Sequence, residues 1–144
     1  MANRKFESTT DAVTVACEFT SIERLGCSFN ELNCRINSGK ELSEEQIERI
    51  SDELCKTLSY LEEPIRRIEF DRSERFAMMR SDPPERDESA TRYYELNVTS
   101  NLIQLSRFEK ATEKRHRQKI ACVVTQHIMS RLVGDMVLTV AEST

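Results

Sequence analysis

Apolar residues in this chain recur at steps of three and four, the spacing that keeps side chains on one face of a helix. A first seam runs through Val15, Phe19, Ile22, Leu25, Phe29, Leu32 and Ile36. Ser8, Thr9, Thr10 or Asp11 can cap its start, and Asn37-Ser38-Gly39 supplies a stop. Gly26 lies within it, at a cost in helix propensity, and would let a neighbouring element approach closely.

A second seam opens at Ser43, which forms a Ser-x-x-Gln capping box with Gln46; Glu44 and Glu45 suit the positive end of a helix dipole. It continues through Ile47, Ile50, Leu54, Leu58, Leu61, Ile65 and Ile68 and weakens into Phe76 and Met79. Pro64 falls in phase with the seam and reads as a kink, or as a break with a restart near Glu62, and not as a change of domain. Ser81-Asp82-Pro83-Pro84 is the clearest loop, because consecutive prolines favour extended backbone. The third seam takes in Tyr94, Val98, Leu102, Leu105 and Phe108, passes Thr112 and His116, and resumes at Ile120, Val124, Ile128 and Leu132.

The predicted fold is therefore all-α: an elongated antiparallel, coiled-coil-like bundle of three long helices over residues 10–38, 43–80 and 85–138. A flexible leader is expected at 1–9, with 10–144 as a single helical-bundle domain. A third helix of roughly 50 residues would span about 75 Å, against about 42 Å for a first helix of roughly 28. The third helix then either projects beyond its neighbours or breaks near 106–115 to give four helices. Projection is favoured, because that stretch offers no turn chemistry.

Composition agrees with this picture. The chain has 144 residues, 3 Gly, 3 Pro and no Trp, which leaves few residues for the tight turns of an all-β domain. A net charge of −4 argues against bulk attraction to nucleic acid or an anionic membrane. The opening stretch MANRKFESTTDAV lacks the apolar run of an export signal, so a cytoplasmic or nuclear location is expected, with the five cysteines reduced.

Candidate chemistry is sparse. Cys122 lies between His116 and His127 but is a same-face neighbour of neither on a helix, and the two histidines would stand too far apart to share an ion. Three scattered glycines cannot cradle a nucleotide. No cofactor, metal or small-molecule substrate is expected, and the chain reads as non-enzymatic.

Residues 120–140 are the most apolar stretch, and His127, Arg131 and Asp135 interrupt it, which argues against a membrane span. A stripe so wide, left uncovered by shorter helices, points to association through Ile128, Leu132, Val133, Met136 and Val137. The expected function is a helical adaptor or structural subunit that binds other proteins, in a homo-oligomer or a hetero-complex. Two alternatives stand beside it. One is a nucleic-acid-associated protein that uses Lys114, Arg115, Arg117 and Lys119, which could equally contact an acidic partner. The other is a helical regulator of a target enzyme.

Overall fold

The computed structural model, which describes residues 4–144, is built on a ten-stranded antiparallel sheet and two helices, and not on a helical bundle or coiled coil. The region expected to form the first helix contains β2 (Val13–Ile22) and β3 (Gly26–Ile36), preceded by β1 (Arg4–Thr9). Residues 1–3 of the expected leader lie outside the described residues; residues 4–9 are the strand β1, paired along β2 from Arg4↔Phe19 to Thr9↔Thr14. The apolar pattern has period two once the cysteines count as apolar: Val13, Val15 and Cys17 are buried on β2, and Cys27, Phe29, Leu32, Cys34 and Ile36 on β3. A register shift between Cys17/Leu32 and Phe19/Phe29 inserts one extra residue into β3 and turns a step of two into a step of three. That bulge is one source of the false helical phase.

The capping box is real. Ser43 Oγ accepts from the Gln46 amide at 3.2 Å and Gln46 Oε1 accepts from the Ser43 amide at 2.8 Å, opening α1 (Glu44–Thr57). Ile47, Ile50 and Leu54 bury its apolar face. The second helix does not run on to residue 80. A 3-10 turn at Ser59–Leu61 follows α1, and Glu62 takes a left-handed backbone with φ 73°, which ends helical geometry before Pro64. The expected break near Glu62 is where helical geometry ends, but what restarts is not a helix: the hairpin strands β4 (Ile65–Asp71) and β5 (Phe76–Ser81) follow, and Pro64 is no kink.

The stretch read as a third helix holds β6 (Glu85–Arg86), β7 (Ala90–Thr99), β8 (Leu102–Ala111), β9 (Gln118–Ile120), β10 (Cys122–Thr125) and only then α2 (Gln126–Ser143). No 50-residue helix exists to project or to break, and the length mismatch that suggested an uncovered stripe disappears. Strand order is β1-β2-β3-β8-β7-β5-β4, two meanders joined at the β3–β8 seam, with β6 beside β7. On one face, α1 packs against β4, β5 and β7, α2 against β2, β3 and β10, and the helices against each other. Between sheet and helices the side chains of Phe29, Leu32, Leu54, Leu96, Leu105 and Leu132 are fully buried, each contributing on the order of 1.5–3 kcal/mol of transfer free energy.

The sheet forks at its centre. β3 and β8 pair only from Glu31↔Ser106 to Arg35↔Leu102 and then diverge. β9 continues along β8, the chain turns at Ala121, and β10 continues along β3 from Cys122↔Phe29 to Thr125↔Gly26. Gly26 does permit a close approach, although by a strand: a Cβ built there would stand 3.1 Å from the Val124 carbonyl oxygen.

Candidate functional site: an apolar cleft at the fork

At the fork, a cleft of about 350 Å³ opens between β10, the 3-10 turn after α1 and the first turn of α2. Val123, Val124 and Thr125 all line it. Successive strand side chains point to opposite faces, so a cleft lined by three in a row meets more than one face of the strand. Among the described residues β10 pairs along one edge, with β3. Its other edge has no strand partner among them, and an unpartnered strand edge leaves backbone donors and acceptors unpaired.

Tyr60, Leu61 and Glu62 form the opposite wall, with Tyr94 beside them, and Ile128 lines the cleft from α2. At the rim, Leu25 is 78% exposed and Val123 73%, the two most exposed large apolar residues among those described. Exposure of this kind at a concave, apolar place is a mark of binding surfaces.

The walls are held by polar contacts behind them. Tyr60 Oη donates to Asp135 Oδ2 at 2.7 Å, and the Arg131 guanidinium lies 4.1 Å from the centre of the Tyr60 ring. Burial first, and then the hydrogen bond to Asp135, push the Tyr60 phenol well above its ordinary range, so it remains a donor. Arg107 sits 4.4 Å over the Tyr94 ring and donates to both Glu63 oxygens, at 3.3 and 3.0 Å, and to Glu85 at 3.2 Å. Burial acts against the charged guanidinium, but the Glu63 bonds outweigh it and raise its pKa. The ion pair thereby ties the chain just after Glu62 to the sheet.

The outer edges of the sheet are different in kind. β1 carries Arg4, Lys5 and Glu7, and β4 carries Arg66, Arg67, Glu69 and Asp71 with a register shift at Arg67/Glu69. Charges and bulges on edge strands discourage pairing with other chains. β10 reads Cys-Val-Val-Thr, with neither charge nor bulge.

The residues expected from sequence to carry association divide between surface and core. Ile128 lines the cleft, and it, Val133 and Val137 are partly buried against the core. Leu132 and Met136 are fully buried beneath the sheet. The sequence did not bring Leu25, a residue of the first seam, together with Val123, Tyr60 and Glu62, since their proximity depends on the fork. Of the basic residues, Lys114 and Arg115 lie exposed in the turn between β8 and β9. Arg117 pairs with Glu95 at 2.7 Å and Lys119 with Glu31 at 2.7 Å.

Glu95 anchors a cluster on the sheet face turned away from the helices. Its side chain is only 5% exposed and accepts from Arg80 at 2.9 Å, Asn97 at 3.1 Å and Arg117. Arg80 lies over Tyr93 and Arg117 over Phe108, at 5.2 and 3.6 Å from the ring centres. Burial alone would raise the Glu95 pKa, but the bonds from Arg117, Asn97 and Arg80 together hold it below the usual carboxylate range.

Nucleophilic chemistry finds no support in the thiols. All five cysteines are free; burial pushes Cys17 up to about 11 and Cys34 and Cys122 up to about 12, and raises Cys27 and Cys55 as well. Among the described residues no three His, Cys, Asp or Glu side chains converge to hold a metal ion. Among the same residues no helix is long and apolar enough to cross a membrane. Neither protein-family models, curated proteins nor solved structures provide a match to this chain.

Proposed function

We propose that this protein is a non-enzymatic binding module that captures an extended, apolar segment of a partner protein by adding it as a strand to β10. One observation carries the reading: β10, an uncharged strand with no second strand partner among the described residues, lines the cleft through three consecutive residues. Main-chain bonds to that edge would supply affinity whatever the sequence, and the apolar cleft would select alternate side chains. Leu25 and Val123 would lose most of their exposed surface under such a segment, each worth on the order of 1.5 kcal/mol when fully covered. A nucleic-acid role draws less support, because Arg117 and Lys119 are already neutralised by Glu95 and Glu31.

A random peptide library displayed on phage tests the proposal. Selection on the native protein is expected to enrich segments with apolar residues at alternate positions. Selection on the double variant Leu25→Ser, Val123→Thr is expected to lose that enrichment while the thermal midpoint stays the same, since both side chains are largely in solvent. The bound peptide should slow amide hydrogen exchange at residues 123–125. An unenriched pool, or protection confined to the β1 or β4 edge, would refute the reading. A dimer seen by light scattering, dissolved by the double variant, would make a second copy of this chain the occupant instead.

A further inference from the structure

We infer that Glu62 gives the cleft its specificity, selecting a lysine or arginine in the captured segment beside the apolar residues that fill the cleft; the inference rests on the docking reading above. Of the ten residues that line the cleft, Glu62 alone carries a charge. It is exposed, and no ion pair or side-chain hydrogen bond within the described residues engages its carboxylate. Its neighbour Glu63 differs in every respect: it is turned inward, 12% exposed, and bound to Arg107 through both oxygens. Adjacent glutamates thus have separate duties, one fixing the wall and one facing the opening.

The backbone adds a second observation. Glu62 stands at φ 73° and ψ −22°, a region that glycine and asparagine enter readily and a long side chain does not. Strained backbone of this kind gathers at binding sites, held there by the structure around it. Here the left-handed turn ends the 3-10 segment and leaves Glu62 on the cleft wall between Leu61, which is buried, and the inward-facing Glu63. A glycine would make the same turn with less strain but would remove the charge.

Neither nearby arginine pairs with Glu62. Arg107 is committed to Glu63, Glu85 and the Tyr94 ring, and Arg131 lies on Tyr60 without a carboxylate within ion-pair distance. An arriving cation therefore meets one free carboxylate beside an apolar surface, where it is screened less than in open solvent. An exposed pair of this type is worth about 0.2–1 kcal/mol, a preference of up to about fivefold.

The experiment is the same phage-displayed random library, selected in parallel on the native protein and on Glu62→Lys and Glu62→Gln. The native pool is expected to favour Lys and Arg flanking the apolar positions, by about 1.4-fold to fivefold over its starting frequency. Glu62→Lys should invert the preference towards Asp and Glu, and Glu62→Gln should abolish it; all three pools should keep the apolar alternation. The native preference should also shrink when selection is repeated at high salt. Pools that share the apolar pattern but show one charge pattern on all three proteins overturn the role of Glu62 and leave the docking reading intact. Pools with no apolar pattern overturn both.

Discussion

Replacing Arg107 by methionine is expected to cost far more than replacing Arg107 and Glu63 together. The Arg107 side chain is 10% exposed and that of Glu63 12%, and they meet through two hydrogen bonds at 3.3 and 3.0 Å. Removing the arginine alone strands a carboxylate in a place water scarcely reaches, and such losses run to about 3–5 kcal/mol. Glu85, the other partner, adds little to that figure, because it is 52% exposed and keeps a bond to Arg92 at 3.1 Å. With Arg107→Met and Glu63→Leu combined, no charge is left unpaired, and the thioether can lie on the Tyr94 ring that the guanidinium covered. The double variant should then fall within about 1.5 kcal/mol of the native protein. Urea denaturation of the four proteins, read by far-UV circular dichroism, measures the cycle directly. Against a total stability of about 5–15 kcal/mol, the single variant would lose a large part of its transition midpoint. Two results would refute the reasoning: a single variant that costs less than about 1 kcal/mol, or a double variant whose loss is the sum of the two singles. Either would mean that water reaches the pair through the fork and that the wall of the cleft is not anchored as described.

Tyr60→Phe removes the 2.7 Å bond to Asp135 and should cost about 1.5–3 kcal/mol as a bond to a charged acceptor; an unchanged thermal midpoint would show that the bond is not formed in solution. Gly26→Ala places a methyl group 3.1 Å from the Val124 carbonyl oxygen, so β10 must shift by a few tenths of an ångström. Faster hydrogen exchange at residues 122–125 is the expected sign, and exchange identical to the native protein would count against the tight approach. Glu95 has a folded pKa below its unfolded value of about 4.3. Its contribution is therefore present above about pH 4.3 and disappears as pH falls through the lower folded value; Glu95→Gln should flatten the acid side of the stability curve, and a curve of unchanged shape would refute the role. Cys34 and Cys122, pushed up to about 12 in the folded protein, ionise near 8.5 when unfolded. Stability should thus fall as pH rises above about 8.5, by up to about 1.4 kcal/mol per pH unit for each thiol, and equal urea midpoints at neutral and strongly alkaline pH would contradict this.

Parts of the fold were legible in the sequence. The Ser43–Gln46 capping box and the spacing of Ile47, Ile50 and Leu54 identified α1, and the Pro83-Pro84 loop fell where expected. The strands were misread for physical reasons. Tyr94, Val98, Leu102, Leu105 and Phe108 have helical spacing, yet Leu105 faces the core while Leu102 and Phe108, an odd number of residues away, point to the opposite face. The alternation Tyr94, Leu96, Val98, then Ile103, Leu105, carries the actual signal. The shortage of glycine and proline also misled. Turns here are made by other residues: Ser100-Asn101 joins β7 to β8, and Asp71 accepts from Ser73 and Glu74 in the β4–β5 turn, which closes with Arg75 at φ 51°. Of the candidate cleft, only Ile128 was singled out for association from the sequence. Leu25, Glu62 and Val123 come from three distant segments, and only the divergence of β3 from β8 assembles them.

That divergence begins at a seam whose partners are remote along the chain: Asn33 and Gln104, bonded across it, are 71 residues apart. Contacts so distant in sequence must close a long loop before they return any stabilisation, which places sheets of this kind among the slower folders. During synthesis the first meander would complete its hairpins early, with Val13, Val15, Leu32 and Cys34 still uncovered, because α2 and the seam strand β8 come much later. The newly made chain would therefore pass through an interval in which these core residues of the first meander are open to solvent, the kind of exposure that favours aggregation.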